Sequence, residues 1–431
     1  MIRFIDLFAG TGGMRLAFEQ AMRESGQESE CVFSSEIDPY AQKTYEANFG
    51  EAPVGDIVEH RDDVPSFDFL LAGFPCQPFS AAGKMKGFND TRGTLFFEIE
   101  QILKRHQPSG FLLENVRGLT SHDGGQTFQI ILESLQELGY TVQHFFCNSS
   151  DFGVPQNRVR IFIVGTRTDR LNLSIMSSLG ASDSHAYKRR RTADLFRETV
   201  DAMETCTVAD ILEDDVDLRF WCSEKFTKML GRAVNNDFER LHGIRMIDYR
   251  GGHSLHSWDL GMKGECSTEE RRFMSLLIAN RRKKKFGTHQ DGKRLTKAQI
   301  ETFFKSDNTS EIIVSLLEMG YISEIEGTYN PVCGNMSFEV FKFLDPESIS
   351  ITLTSSDAHR LGVVQNGKPR RITPREAARL QGYPDSFRFP VEDKYVYKQM
   401  GNAVTVPVVK AILVDFFRNN QILHAKATRA A

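Results

Sequence analysis

The first 167 residues alternate short apolar runs with stretches whose apolar residues recur at helical spacing. That alternation is the signature of a mainly parallel sheet with crossover helices, an α/β arrangement. Strands are expected over residues 3–8, 31–36, 67–72, 111–114, 141–146 and 160–165. Between them, "MRLAFEQAMRES", "PYAQKTYEANF", "LFFEIEQILKRH" and "TFQIILESLQEL" have the apolar spacing of amphipathic helices. No helical stretch separates the last two strands, so they should form an antiparallel hairpin at the sheet edge. After Arg167 the regularity fades, and the chain to about Pro346 is polar and charge-rich, with glycine loops such as "DYRGGHSLHSWDLG". This reads as a second domain or a large insertion. From "REAARLQGYP" the pattern is compact again, and "VPVVKAILVDFFRNN" is an amphipathic helix.

A chain of 431 residues, 40% hydrophobic and 26% charged, has the composition of a globular protein large enough for two domains. No apolar run approaches membrane-spanning length, and "MIRFIDLFAG" reads as a buried strand rather than a signal peptide. The expectation is a cytoplasmic protein with no membrane partner. The seven cysteines are scattered, odd in number and free of any C-x-x-C pair, which argues against a disulfide framework or a structural zinc site. A net charge of −4 does not advertise nucleic acid, but charge is unevenly spread. Residues 351–381 hold six Lys or Arg against two acids, and "RRKKK" (281–285) and "KRRR" (188–191) are local basic clusters. Each alone also fits a solvated face.

Three places carry chemistry. "DLFAGTGG", Asp6 to Gly13, joins the first strand to the first helix, where glycines permit a tight turn and close approach of a ligand. Its spacing is not the dinucleotide G-x-G-x-x-G. Glu36 ends the second strand, where a carboxylate would meet ribose hydroxyls, and "GDI" sets Asp56 and Ile57 beside an adenine. Taken in order within one α/β unit, these point to an adenosine-type cofactor. "FLLENV" puts Glu114 at the C-terminal end of a later strand, and "PQNRVR" supplies Gln156, Arg158 and Arg160 at the start of a hairpin strand. As isolated motifs they would equally suit a helix cap and a surface salt-bridge strand. "GFPCQPFS" locks Cys76 between Pro75 and Pro78 where the third strand ends. A thiol, a carboxylate and a guanidinium at one sheet edge suit covalent attack on an electron-poor ring.

"GFPCQPFS", "ENV", "QNRVR" and "GNAV" stand in the order found in DNA (cytosine-5)-methyltransferases, and the chain resembles a bacterial stand-alone member of that family over residues 1–167 and 350–420. The resemblance implies an S-adenosylmethionine-dependent methyltransferase fold, Rossmann-like, with a smaller, variable target-recognition domain. Residues 1–167 would be catalytic, 168–372 would recognise the target, and 373–431 would return to the catalytic domain. It implies S-adenosylmethionine held by Phe8, Gly10, Gly12, Glu36, Ile37, Asp56, Ile57, Leu95 and Asn402. "TPREAARLQGYP" resembles the helix that supports the target-recognition domain. The catalytic residues would be Cys76, adding to cytosine C6, Glu114 at N3 and the exocyclic amine, and Arg160, helped by Arg158, at the carbonyl oxygen.

The implied partner is double-stranded DNA with the target base flipped out, and a cognate restriction endonuclease acting on the same site. Residues 80–94 have the composition of a mobile lid, and Arg250 is a candidate for reading a base in the major groove. A tRNA methyltransferase of the same fold is the alternative, disfavoured by the long region after Arg167. A catalytically silent DNA-binding module and a nicotinamide dehydrogenase fit less well. The recognition sequence is not legible.

Overall fold

The computed structural model describes residues 1–75, 95–175, 206–249, 251–287, 293–332 and 338–420. Cys76, the 80–94 segment, the 188–191 cluster and Arg250 lie outside the described residues. The chain divides into two compact units, one of Met1–Ile211, Ile349–Ala358 and Pro374–Ala431, the other of Leu212–Ser348 and His359–Thr373.

The first unit is built on six strands, β1 (Ile2–Leu7), β2 (Ser29–Ser35), β3 (Phe69–Gly73), β4 (Gly110–Val116), β5 (Thr141–Asn148) and β6 (Val159–Thr166). Their order is β2-β1-β3-β4-β6-β5. β2, β1, β3 and β4 run parallel, whereas β6 pairs antiparallel with β4 and with the edge strand β5. The chain leaves β1 first to one side and later to the other, so the C-terminal ends of β1 and its neighbours border a topological switch point.

Helices α1 (Gly13–Glu24), α2 (Pro39–Phe49), α3 (Ile57–His60), α4 (Leu95–His106) and α5 (Gln126–Glu137) fill the crossovers. α2 starts where it does because Asp38 accepts hydrogen bonds from the amides of Tyr40 and Ala41, with Pro39 at its first position. Gly50, at φ 80, ends it. α1 buries Met14, Ala17, Phe18, Ala21 and Met22 along one stripe.

The second unit carries α6 (Glu224–Val234), β7 (Arg245–Met246), β8 (Ser254–Leu255), α7 (Thr268–Asn280), β9 (Leu295–Thr296), α8 (Lys297–Glu301) and α9 (Thr309–Glu318). It continues with β10 (Ile322–Ile325), β11 (Thr328–Pro331), β12 (Lys342–Phe343), β13 (Leu361–Gln365) and β14 (Lys368–Arg371). These make a five-stranded sheet, β14-β13-β12-β7-β8, and a three-stranded one, β10-β11-β9, over two separate apolar cores.

The chain then re-enters the first unit as α10 (Pro374–Arg379), α11 (Asp393–Asn402) and α12 (Val406–Asn419). The stretch 393–419 has the length and hydropathy of a membrane span, a feature that scanning for an unbroken apolar run overlooks. It is two helices, interrupted at Ala403–Thr405, and the apolar face of α12 is buried. Phe417 meets the ring of Phe18 edge-on at 5.4 Å, and Phe416 lies 5.3 Å from Phe69. Fully buried rings of this kind contribute roughly 1.5–3 kcal/mol each, which ties the C-terminal segment to the sheet.

Candidate active site

Phe8, Gly10, Gly12, Glu36 and Ile37, expected to hold the cofactor, lie just beyond the ends of β1 and β2. Beyond β1 the backbone turns left-handed at Phe8 (φ 54), Gly10 (φ 55) and Gly12 (φ 84). Ala9 donates its amide to Ser35 O at 2.9 Å, holding the loop against the end of β2. Glu36 then locks it. One carboxylate oxygen accepts the Gly10 amide at 2.8 Å, and the other accepts the Asp38 amide at 2.8 Å. On the far side of β2, Val54 donates to Ser34 O and Glu36 to Val54 O, each at 2.9 Å, which brings the chain before Asp56 alongside. Asp56 caps α3 through the Val58 amide at 3.0 Å.

A methyl group at Gly10 would meet nothing within 4 Å, whereas one at Gly12 would stand 2.2 Å from the ring of Phe49. Gly10 therefore opens onto free space and Gly12 onto packing. Ile37 is 71% exposed, available as an apolar platform. Ile57, by contrast, is 2% exposed and belongs to the apolar core with Leu7, Phe74 and Phe96. Its apolar surface is used inside the protein, so the adenine-facing role expected of Ile57 suits Ile37 better. Leu95 is half-buried at the first position of α4, and Asn402 is exposed at the last position of α11. A carboxylate fixed by backbone amides, an exposed aliphatic side chain and an open glycine fit an adenosine-bearing group.

Glu114 and Arg160, expected to handle the base, stand on β4 and β6. In their register Glu114 faces Phe162 and Val116 faces Arg160, so Arg160 lies diagonally from Glu114 on the same sheet face. Arg160 Nε is 3.1 Å from Glu114 Oε1. Burial raises the Glu114 carboxyl above its ordinary value, and the neighbouring Arg160 and Arg158 offset this only in part. Burial likewise lowers the pKa of Arg160, against the opposing pull of Glu114.

On the other side, Gly73 of β3 pairs with Glu114. A methyl group at Gly73 would be 3.6 Å from Glu114 Oε2, 3.8 Å from Met14 Sδ and 4.0 Å from Val404. Asn115 fixes the exit from β3 by donating to Phe74 O at 2.9 Å. The described chain thus passes Glu114 at Gly73 and ends two residues later at Pro75.

Arg158 does not join the Glu114–Arg160 pair by hydrogen bond. It is 2% exposed, and its guanidinium donates to Leu353 O at 2.9 Å, Ala403 O at 2.8 Å and Gly401 O at 3.3 Å. Burial and then the nearby Arg160 pull its pKa down to about 9. Gln156, fully buried, accepts the Leu353 amide at 2.8 Å and donates to Leu380 O at 2.6 Å. Gln381 and Thr405 extend this web, with Thr405 Oγ1 2.9 Å from Gln381 Oε1 and 2.7 Å from Ser149 Oγ. Tyr383 hydrogen-bonds Thr11 at 2.8 Å, directly under the glycine loop. Gln381 and Tyr383 fall inside the "TPREAARLQGYP" stretch, but their individual roles, like that of Thr405, rest on partners hundreds of positions away: Gln156, Thr11 and Ser149.

The sequence-level charge excess over 351–381 is largely spent internally. Arg360 donates to Phe338 O, Arg370 to Gln365, Arg371 to Arg219 O, Arg375 to Phe387 O and Arg379 to Asp385. In the 281–285 cluster Arg281 is buried and donates to Asn330 at 2.6 Å, while Arg282, Lys283, Lys284 and Lys285 are exposed.

A family model described as C-5 cytosine-specific DNA methylase matches residues 2–418. Type II methyltransferase M.BanI of Aneurinibacillus aneurinilyticus is 59% identical over 419 residues, covering 97% of this chain and 96% of its own. Type II methyltransferase M.HgiCI of Herpetosiphon aurantiacus is 59% identical over 420 residues, covering 97% and 98%. Among solved structures, S. pombe Dnmt2 methyltransferase aligns with TM-score 0.52 at 17% identity, over 97% of this chain and 99% of its own. A putative DNA modification methyltransferase encoded within an E. coli prophage gives 0.51 at 22%, over 97% and 99%. At those identities the structures speak for the fold, and the fold agrees with the α/β methyltransferase class expected from sequence. The sequence matches speak for more: this chain belongs to the C-5 cytosine-specific DNA methylase family and is a DNA (cytosine-5) methyltransferase.

Proposed function

We propose that the protein methylates C5 of a flipped-out cytosine within a specific duplex DNA sequence through a covalent Cys76–C6 intermediate, as the modifying partner in a restriction–modification pair. The observation that carries this reading is the Glu114–Arg160 pair at 3.1 Å, set on the strand register that also delivers the chain to Pro75.

A cytosine ring needs three things here. Its C6 must be attacked, its N3 and amine must be held, and its carbonyl oxygen must be gripped. Cys76 is the nucleophile as thiolate. The raised pKa of Glu114 suits it to share a proton with N3 while accepting from the exocyclic amine. The remaining N–H groups of Arg160 serve the carbonyl oxygen. When the Cys76–C6 bond forms, the ring's C5=C6 electrons move onto C5, which becomes enamine-like and able to accept a methyl group. Loss of the C5 proton to water and departure of the Cys76 thiolate restore the aromatic ring. S-adenosylmethionine, when bound, supplies that methyl group on a sulfonium; Phe8, Gly10, Glu36, Ile37, Asp56, Leu95 and Asn402 would hold it, a reading supported by the Glu36-fixed loop and the exposed Ile37.

Incubation with tritiated S-adenosylmethionine and either duplex DNA or tRNA tests the reading. Label in DNA, mapped by bisulfite sequencing to one short sequence, supports it, and label in tRNA alone overturns it.

A further inference from the structure

Arg158 presents a buried cation aimed at backbone. Three carbonyls receive its guanidinium, and two of them, Gly401 and Ala403, flank Asn402. The third, Leu353, belongs to a segment packed so closely on α11 that a methyl group at Gly401 would lie 2.3 Å from Ser355 N. The Arg158 amide is itself held by Asn148 Oδ1 at 2.7 Å. Two residues on, the same extended backbone carries Arg160 to Glu114. A planar fork of fixed N–H directions that satisfies three carbonyls has little freedom to swing to a ring or a thiolate. Leaving it would also strand those carbonyls in the interior.

We propose that Arg158 is a positioning residue: it fixes the backbone on both sides of Asn402 and so couples the cofactor's seat to the strand that carries Arg160. The proposal rests on the reading that Asn402 faces S-adenosylmethionine. It makes Arg158 and Arg160, alike in type and two positions apart, opposite in function. Arg160 acts on the base, and Arg158 acts through Asn402.

Calorimetric binding of S-adenosylhomocysteine to the full chain without DNA, with kcat and KM measured in parallel, separates the two. Arg158→Lys keeps the charge but loses the fork, and should weaken S-adenosylhomocysteine binding by about tenfold or more, as Asn402→Ala should. Arg160→Lys should bind it within about twofold of wild type and lose kcat instead. If Arg158→Lys also binds normally and loses only kcat, the strut is wrong and Arg158 touches the base or the thiol. If Asn402→Ala binds normally, the seat at Asn402 is wrong and the strut falls with it.

Should the lysine variant not fold, amide hydrogen exchange on the wild-type protein decides. S-adenosylhomocysteine should slow exchange at 353–355 and 157–160 together with 401–403. Protection confined to 401–403 would overturn the coupling.

Discussion

Arg160 Nε lies 3.1 Å from Glu114 Oε1, reaching diagonally across two antiparallel strands on one face of the sheet. The partners stand on neighbouring strands of the core, so the β4–β6 register sets the spacing between their backbones. Glu114 remains, despite this cation, a carboxyl that holds its proton more firmly than an ordinary glutamate.

The raised proton affinity of Glu114 links stability to pH. Its folded pKa lies above its ordinary 4.5, so between the two values the folded state binds more protons than the unfolded one. Its contribution is then fully present below 4.5 and is lost as pH rises through the folded value. Urea melts from pH 4 upward should show Glu114→Gln losing part of this decline. The slope is the test. An identical pH slope in both proteins means that burial of Glu114 does not shift its proton affinity.

The glycine loop makes a paired prediction. Gly10→Ala places its methyl group in open space at φ 55, so thermal melts should record a cost of about 1 kcal/mol. S-adenosylhomocysteine affinity should nonetheless drop if, as proposed, the open space at Gly10 takes the ligand. Gly12→Ala must in addition displace the Phe49 ring, on which the Arg15 guanidinium stacks at 4.4 Å, and should cost about 3 kcal/mol. Equal costs for the two would contradict the contrast.

DNA binding should weaken steeply with salt through counterion release. Most arginines of 351–381 are held by internal acceptors, so the exposed Lys283, Lys284 and Lys285 become the better candidates for meeting phosphates. Replacing all three with alanine should lower the slope of log K against log salt by about one for each lysine that neutralises a phosphate. An unchanged slope would assign that cluster to plain solvation.

The first unit was legible because its signals are local. "PYAQKTYEANF" and "LFFEIEQILKRH" are the helices over 39–49 and 95–106, and the hairpin of β5 and β6 follows from the missing helix between them. β3 begins at Phe69 rather than 67; just before it Asp68 joins β1 by its own amide, which donates to Arg3 O at 2.7 Å, and by its carboxylate, which accepts the Arg3 amide at 2.9 Å. The second unit was illegible for the opposite reason. Strands such as Arg245–Met246 and Lys342–Phe343 are two residues long and leave no periodicity to read. The site divides the same way. Glu36 and Glu114 announce themselves at strand ends, but the partners of Arg158 are carbonyls 195 to 245 positions away, which no motif encodes.

The central claim is the Cys76–C6 bond, and duplex DNA carrying 5-fluorocytosine at the target tests it most directly. Fluorine at C5 cannot leave as a proton does, so with S-adenosylmethionine present the wild-type protein should remain attached to DNA through denaturing electrophoresis. Cys76→Ser should bind DNA and S-adenosylhomocysteine nearly as wild type does but form no such complex, because a hydroxyl is a far poorer nucleophile than a thiol. A complex that forms equally with the Cys76→Ser variant, or fails to form with the wild type, would contradict the mechanism.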